Sequence, residues 1–332
     1  MKNTILHIHQ KNATDNVFQV MLSRWRAQGI SHLVLTESDV DYSDIRLTHA
    51  HSWFNDGKVA LQLFESQQIP YVLTITEGDM ELAHGFSAWR TGKKILEHAR
   101  QIIFTNPMSE RILADELPDK LADQVFSHAV TIYHSIETHW LNDLYLSPPV
   151  SKVNVKLLYA GEPDKSGNLS SVIKATDAIL HRNLGVTLTV VQMSDTNPDA
   201  WHKLSNDIKN KEQVKVVSCH NDEELQAQLR AHDILVMPCK EKVTTDIYAK
   251  ALSQGLPLLY AQGGCFDGIY PEGHAGYAVN PNHIDQLVEK ILYISDRYAT
   301  IMQHLGDLQP LNAFNIDENY RKYLRIYGHQ TL

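Results

Sequence analysis

Residues 238–257 read PCKEKVTTDIYAKALSQGLP. Lys240, Lys242 and Lys250 bring positive charge to the start of a helical pattern, and Glu241 lies among them. Unpaired backbone N–H groups and the helix dipole make such a start an anion site. Thr244 and Thr245 can cap the helix and offer hydroxyls. The chemistry would be phosphate binding. The plainer reading is that these lysines are solvated helix charges, the common state of exposed lysine.

A second set lies earlier. In THAH, His49 and His51 alternate on an extended segment, so both side chains take one face. Histidine titrates near neutrality, which suits proton transfer or acceptor contact; a hydrogen-bonded structural role is the alternative. No third ligand follows at a recognised spacing, so no metal is expected. His7 and His9 also alternate, but with 18 histidines in the chain such pairs arise by chance, and they read as structural. In TEGD, Gly78 permits an unusual turn that would aim Glu77 or Asp79 into a site; a plain turn is the other reading. Asp267, behind Gly263 and Gly264, poses the same choice. Trp25 and Trp89 read as helix core.

The chain that carries these groups has 332 residues, enough for two domains with substantial cores. A formal charge of -9 argues against non-specific nucleic-acid binding. Cys219, Cys239 and Cys265 show no paired spacing, which points to a reducing compartment. No apolar run reaches membrane-span length, and MKNTILHIHQ lacks a signal-peptide core. A cytoplasmic location follows as the expectation, with a peripheral position at the inner membrane face left open.

Strand-like runs such as TILHIH, SHLVLTES, YVLTIT, QIIFTN and HAVTIY alternate with helical patterns through the first half. The double proline in NDLYLSPPVSKVNV breaks the pattern. The alternation then restarts with VKLLYAG and runs through VTLTVVQM, VKVVSC, DILVMPC, PLLYA and GYAVN. This predicts an α/β protein of two doubly wound Rossmann-like domains, with ligands at the carboxyl ends of the strands in the cleft between them. The expected boundaries are 1–145 for the first domain, 146–153 for a linker and 154–312 for the second.

From DEELQAQLRAHDILVMPC through ALSQGLPLLYAQGGCFDGIYPEGHAGYAVNPNHIDQLVEKI, the second half resembles the donor-binding domain of family-4 (group 1) glycosyltransferases, which have the GT-B fold. The resemblance runs over about 80 residues and rests on the ordered set Pro238, Gly255, Pro257, Gly263, Gly264, Asp267, Gly273, Gly276 and Pro281. HAHSWF and IPYVLTITEGD resemble first-domain segments of that family more weakly. FNIDENYRKYLRIY resembles its terminal helix, which implies that 314–328 pack back on the first domain.

The resemblance also implies site positions, and the chain departs at most of them. Glu162 follows Gly161 where the family places an arginine on the donor diphosphate. The family's lysine position falls on Gly167, with Lys165 close by. Its two glutamates fall on Lys242 and Lys250, with Glu241 one residue off. Thr76 stands where a histidine lies near the transferred sugar. A carboxylate at the arginine position repels a diphosphate, and lysine cannot accept from ribose hydroxyls.

The expectation is therefore a glycosyltransferase that moves a sugar from a nucleotide-sugar donor to a glycan, lipid-linked or protein acceptor, with retention. Glu162, Lys165, Lys240, Glu241, Lys242, Thr244, Thr245, Lys250 and Asp267 would lie on the donor side. His51, Glu77 and Asp79 would be catalytic, and His49 and Thr76 would face the acceptor. No cofactor is expected beyond the donor substrate. The alternative is a catalytically inactive GT-B protein that acts as a partner or substrate-binding subunit of an active transferase.

Overall fold

The computed structural model describes residues 4–9, 16–27, 31–35, 40–82, 86–146, 154–161, 163, 167–193, 201, 208, 212–239, 245–308 and 311–328. The chain divides into two compact units, Met1–Glu137 with Ala313–Leu332, and Thr138–Asn312.

In the first unit, strands β1 (Thr4–Ile8), β2 (Ser31–Val34), β3 (Ile45–Ala50), β4 (Tyr71–Ile75), β5 (Gln101–Phe104) and β6 (Ala129–Thr131) form one parallel sheet, ordered β2-β1-β3-β4-β5-β6. Helices α1 (Asn16–Ala27), α2 (Asn55–Gln67), α3 (Glu77–Leu82), α4 (Phe86–His98), α5 (Pro107–Glu116) and α6 (Asp119–Ser127) connect them. Every residue of β4 is buried, as expected for a strand covered on both faces. Pleating sends neighbouring residues of β1 to opposite sides: Leu6 and Ile8 join a core with Trp53, Tyr71 and Ile95, while Ile5 joins one with Trp25, Leu47 and Tyr327.

The second core is completed by the end of the chain. Asn315 caps the helix Ile316–Ile326 by accepting from the N–H groups of Asp317 and Glu318. Ile316, Leu324 and Tyr327 turn inward, while Asp317, Arg321 and Arg325 stay exposed. Asn319, fully buried, donates to Tyr133 O and Ser135 Oγ at 3.0 and 2.9 Å.

The second unit holds α7 (Thr138–Asn142), β7 (Asn154–Tyr159), α8 (Leu169–Leu180), β8 (Gly185–Gln192), β9 (Val214–Ser218), α9 (Asp222–Ala231), β10 (Ile234–Met237), α10 (Thr245–Ser253), β11 (Leu258–Ala261), β12 (Gly276–Val279), α11 (Ile284–Asp296) and α12 (Tyr298–Asp307). Its parallel sheet is ordered β12-β11-β10-β7-β8-β9. Each unit is thus a doubly wound parallel α/β domain, as expected. Gly276 opens β12 at φ +143°, and a Cβ there would sit 1.9 Å from Leu258 O, so only glycine lets β12 lie against β11.

Three local expectations change. The first unit ends at Glu137, not at 145, because 138–145 are fastened to the second unit. Trp140 is fully buried and donates from Nε1 to Asp222; Tyr145 N donates to Ser253 O at 2.9 Å. Of the expected linker, 147–153 lie outside the described residues. TEGD begins helix α3 and is not a turn, and Gly78 has no positive φ. Helices α6, α7 and α12 were not anticipated.

Candidate functional site

At the carboxyl ends of β1 and β3 in the first unit, five histidines meet. His7 and His49 are register partners on adjacent strands. With His9 and His51 two residues on, the alternation brings all four rings together. His7 Nδ1 lies 3.0 Å from His51 Nε2, and its Nε2 lies 2.9 Å from His32 Nδ1. His49 and His51 have ring centroids 4.0 Å apart. His49 is fully enclosed, with Nδ1 2.6 Å from Tyr327 Oη and Nε2 2.8 Å from Thr74 Oγ1. Burial, reinforced by neighbouring imidazoles, pushes His7 and His49 well below the ordinary range, and burial with His9 pushes His51 down to about 3. At neutral pH these three rings are uncharged.

His51 is half-buried, and His49 is shut away from any acceptor. Sequence reasoning set His7 and His9 aside and did not single out His32. The available signal was the repeated His-x-His pattern in two strands, which becomes a cluster only when those strands are neighbours.

At the end of β4, Asp79 is buried and tied down. Its Oδ1 accepts from Trp53 N at 2.9 Å, and its Oδ2 accepts from Thr76 N and Thr76 Oγ1 at 2.8 and 3.0 Å. Burial raises its pKa to about 6 against these hydrogen bonds. Asp79 therefore joins the segment after β3 to the turn after β4, with Thr76 as its local partner. Glu77 is also buried, and its Oε2 accepts from Thr105 Oγ1 and Asn106 Nδ2, both at 3.2 Å. His134 Nε2 lies 3.5 Å from the same oxygen. Burial works to raise the Glu77 pKa, but His134 and the hydrogen bonds outweigh it and hold the carboxyl below its usual value. Glu77 Oε1 is buried with no hydrogen-bond partner.

In the second unit, Glu162, Lys165, Lys240, Glu241, Lys242 and Thr244 lie outside the described residues. Thr245 begins α10, is completely buried, and its Oγ1 has no hydrogen-bond partner. Lys250 is placed unlike the donor-side reading: its Nζ pairs with Asp222 Oδ1 at 3.3 Å and stands 5.2 Å from the centroid of the Trp140 ring. The next turns of α10 thus belong to the packing of α7 and α9. Asp267 Oδ2 accepts from Gly263 N at 2.7 Å, so the carboxylate shapes the glycine-marked loop.

Sequence reasoning also passed over Asn168. It sits in the left-handed region at φ 57°, before α8, and donates from Nδ2 to Pro238 O at 3.3 Å and Pro281 O at 2.6 Å. Cys239 Sγ donates to Gly167 O at 3.3 Å. These bonds pull the loops after β7, β10 and β12 together. Asparagine tolerates the left-handed conformation and has donors enough for both carbonyls.

Residues 154–297 match the family model described as Glycosyl transferases group 1. No curated protein sequence matches the chain. Among solved structures, sucrose-phosphate synthase from Thermosynechococcus elongatus is 16% identical, with 98% of each chain covered and a TM-score of 0.75. Anabaena HepE in complex with UDP is 14% identical, with coverage of 98% of this chain and 99% of that one and a TM-score of 0.71. The chain from the GtfA/B complex is 17% identical over 84% of this chain and 56% of that one, with a TM-score of 0.60. These likenesses carry the fold. Among the described residues no helix is long and apolar enough to cross a membrane. Residues 154–297, most of the second unit, are thus similar to the group 1 glycosyltransferases, in a chain of GT-B fold.

Proposed function

We propose that the chain takes its sugar from a nucleoside-diphosphate donor held at the start of α10, and passes it with retention to a glycan, lipid-linked or protein acceptor. The observation that carries this reading is Thr245. Its hydroxyl is buried and unpartnered at the N-terminus of a nine-residue helix that follows β10, where backbone N–H groups and the helix dipole favour a phosphate. A native chain rarely leaves such a hydroxyl unsatisfied without a use for it.

Lys165, Lys240 and Lys242 would supply the positive charge, with Thr244 beside them, in place of the arginine and lysine usual in the family. Stabilising the leaving diphosphate would then be electrostatic, with no metal at that point. Glu162 and Glu241 would temper that charge, and Asp267 would position the Gly263 loop toward the donor sugar. On the acceptor side, Glu77 retains an unpartnered carboxylate oxygen and, held ionised, would stabilise positive charge developing on the transferred sugar. Asp79 and Thr76 act through the backbone they fasten. UDP in the HepE complex makes a uridine nucleotide the first donor to try.

A second reading is favoured by one observation: Lys250 is engaged with Asp222 and Trp140, so one of the family's carboxylate positions has become packing. The chain would then serve as the partner of an active transferase, an arrangement to which the GtfA/B likeness lends support. Calorimetric titration with UDP, GDP and their sugars decides between the two. Micromolar binding that is lost in a Lys165→Ala, Lys242→Ala double variant supports the enzyme. Absence of binding to any nucleotide by the folded protein overturns it and favours the partner.

A further inference from the structure

The geometry points to a zinc-class transition-metal site in the first unit, built by His7, His49 and His51 where β1 and β3 end side by side. Each offers a ring nitrogen, and the three ligand atoms lie within 4.8 Å of one another. Imidazole nitrogen suits zinc, copper and nickel, and three histidines with an open position is a recurrent zinc arrangement. Tetrahedral zinc with bonds of about 2.0–2.1 Å places its ligands about 3.4 Å apart, so the widest gap has to close by at most about 1.4 Å. His7 and His51 are already at 3.0 Å, and half-buried His51 is the least enclosed of the three rings.

The surroundings are those of a metal site. A ligating histidine is normally oriented by a bond from its other nitrogen. His7 Nε2 is held by His32 Nδ1, and His49 keeps Thr74 or Tyr327 whichever nitrogen it gives up. On binding, the ring chain takes a single tautomer: His7 Nε2–H donates to His32 Nδ1, and His51 keeps its proton on Nδ1. No net proton is released. For a fourth ligand, His9 lies with its ring centroid 5.2 Å from that of His51, and its Nδ1 is buried without a hydrogen-bond partner. A purely structural cluster accounts for Tyr327 but leaves this nitrogen idle.

The ion would tie β1 and β3 to the returning C-terminal segment, since Tyr327 Oη rests on His49 and Tyr327 packs with Trp25. This goes beyond the donor-site reading and stands or falls without it, because none of these histidines lies in the second unit.

The test uses the full chain, freed of any polyhistidine tag and stripped with chelator. Equilibrium dialysis measures bound Zn2+, and Co2+ titration reports coordination by visible absorption. One equivalent of Zn2+ with a raised Tm, and tetrahedral Co2+ bands displaced by Zn2+, are expected; His51→Gln should weaken binding by at least about tenfold. No stoichiometric binding by the wild-type chain, or equal binding by a folded His51→Gln, overturns the site. If His51→Gln does not fold, histidine 15N resonances of the wild type decide: Zn2+ must shift those of His7, His49 and His51, and unchanged resonances overturn it.

Discussion

The strand ends of the two units bind their polar groups in different ways. In the first unit they face one another. Asp79 is used by Trp53 and Thr76, His49 by Thr74 and Tyr327, and His7 by His32 and His51. In the second unit the loops are fastened by Asn168 and Asp267, while Thr245 Oγ1 is left without a partner. Low dielectric makes a satisfied buried network rigid and an unsatisfied group costly, so the bonded groups of the first unit read as scaffold, while His9 Nδ1 and Glu77 Oε1 there, like Thr245 Oγ1 in the second, are the atoms left to meet a ligand.

The largest test of that contrast is Asp79→Ala. It leaves the N–H groups of Trp53 and Thr76 without their acceptor, and should cost about 2–4 kcal/mol in urea unfolding. A loss below about 1 kcal/mol would mean that the network is not a scaffold.

The same carboxyl predicts a pH dependence. Its folded-state pKa is raised from 3.8 to about 6, so the folded state holds the proton more tightly than the unfolded chain. The stability it contributes is full below pH 3.8 and is lost as pH rises through about 6. Stability of the wild type minus that of Asp79→Asn, followed from pH 3.5 to 7.5 (an experimental range of roughly four units), should fall across this window and level off above it. A flat difference would refute the raised pKa.

Thr245→Val sharpens the other half of the comparison. The hydroxyl makes no bond to lose, so stability should change by less than about 0.5 kcal/mol, while nucleotide affinity falls roughly tenfold, the worth of one hydrogen bond to a charged group. Unfolding and calorimetry on the same sample read both; unchanged affinity would remove Thr245 from the donor site. The smallest effect belongs to Lys250→Met. Its part-buried pair with Asp222 and its place over Trp140 are worth about 1 kcal/mol, and nucleotide binding should not respond. A clear loss of nucleotide affinity would return Lys250 to the donor side.

Much of the architecture was legible without coordinates, because periodicity is local. Runs such as YVLTIT and VKLLYAG, spaced by helical patterns, already state a parallel α/β sheet. The glycine and proline frame was legible for a related reason. Gly276 answers to Leu258 O and Gly263 to a left-handed φ of 75°, needs of the backbone that persist whatever ligand is bound. TEGD shows the limit: Glu77 and Asp79 are acceptable at a helix N-terminus as well as in a turn, and packing against α5 favours the helix.

The candidate site was legible only where one segment holds it. PCKEKVTTDIYAKALSQGLP announces a strand end and a helix start together, and Thr245 stands where that pattern puts it. Lys250 shares the segment, but its direction depends on Trp140 and Asp222, which come from α7 and α9. The amino-acid order by itself determined the elements, their parallel sense and the types of group at their ends. Which groups meet was decided by the strand order β2-β1-β3, which sets His32, His7 and His49 side by side from positions far apart in the chain. Spacing along a chain is a local property, whereas the neighbours of a strand are chosen by the burial of both sheet faces at once.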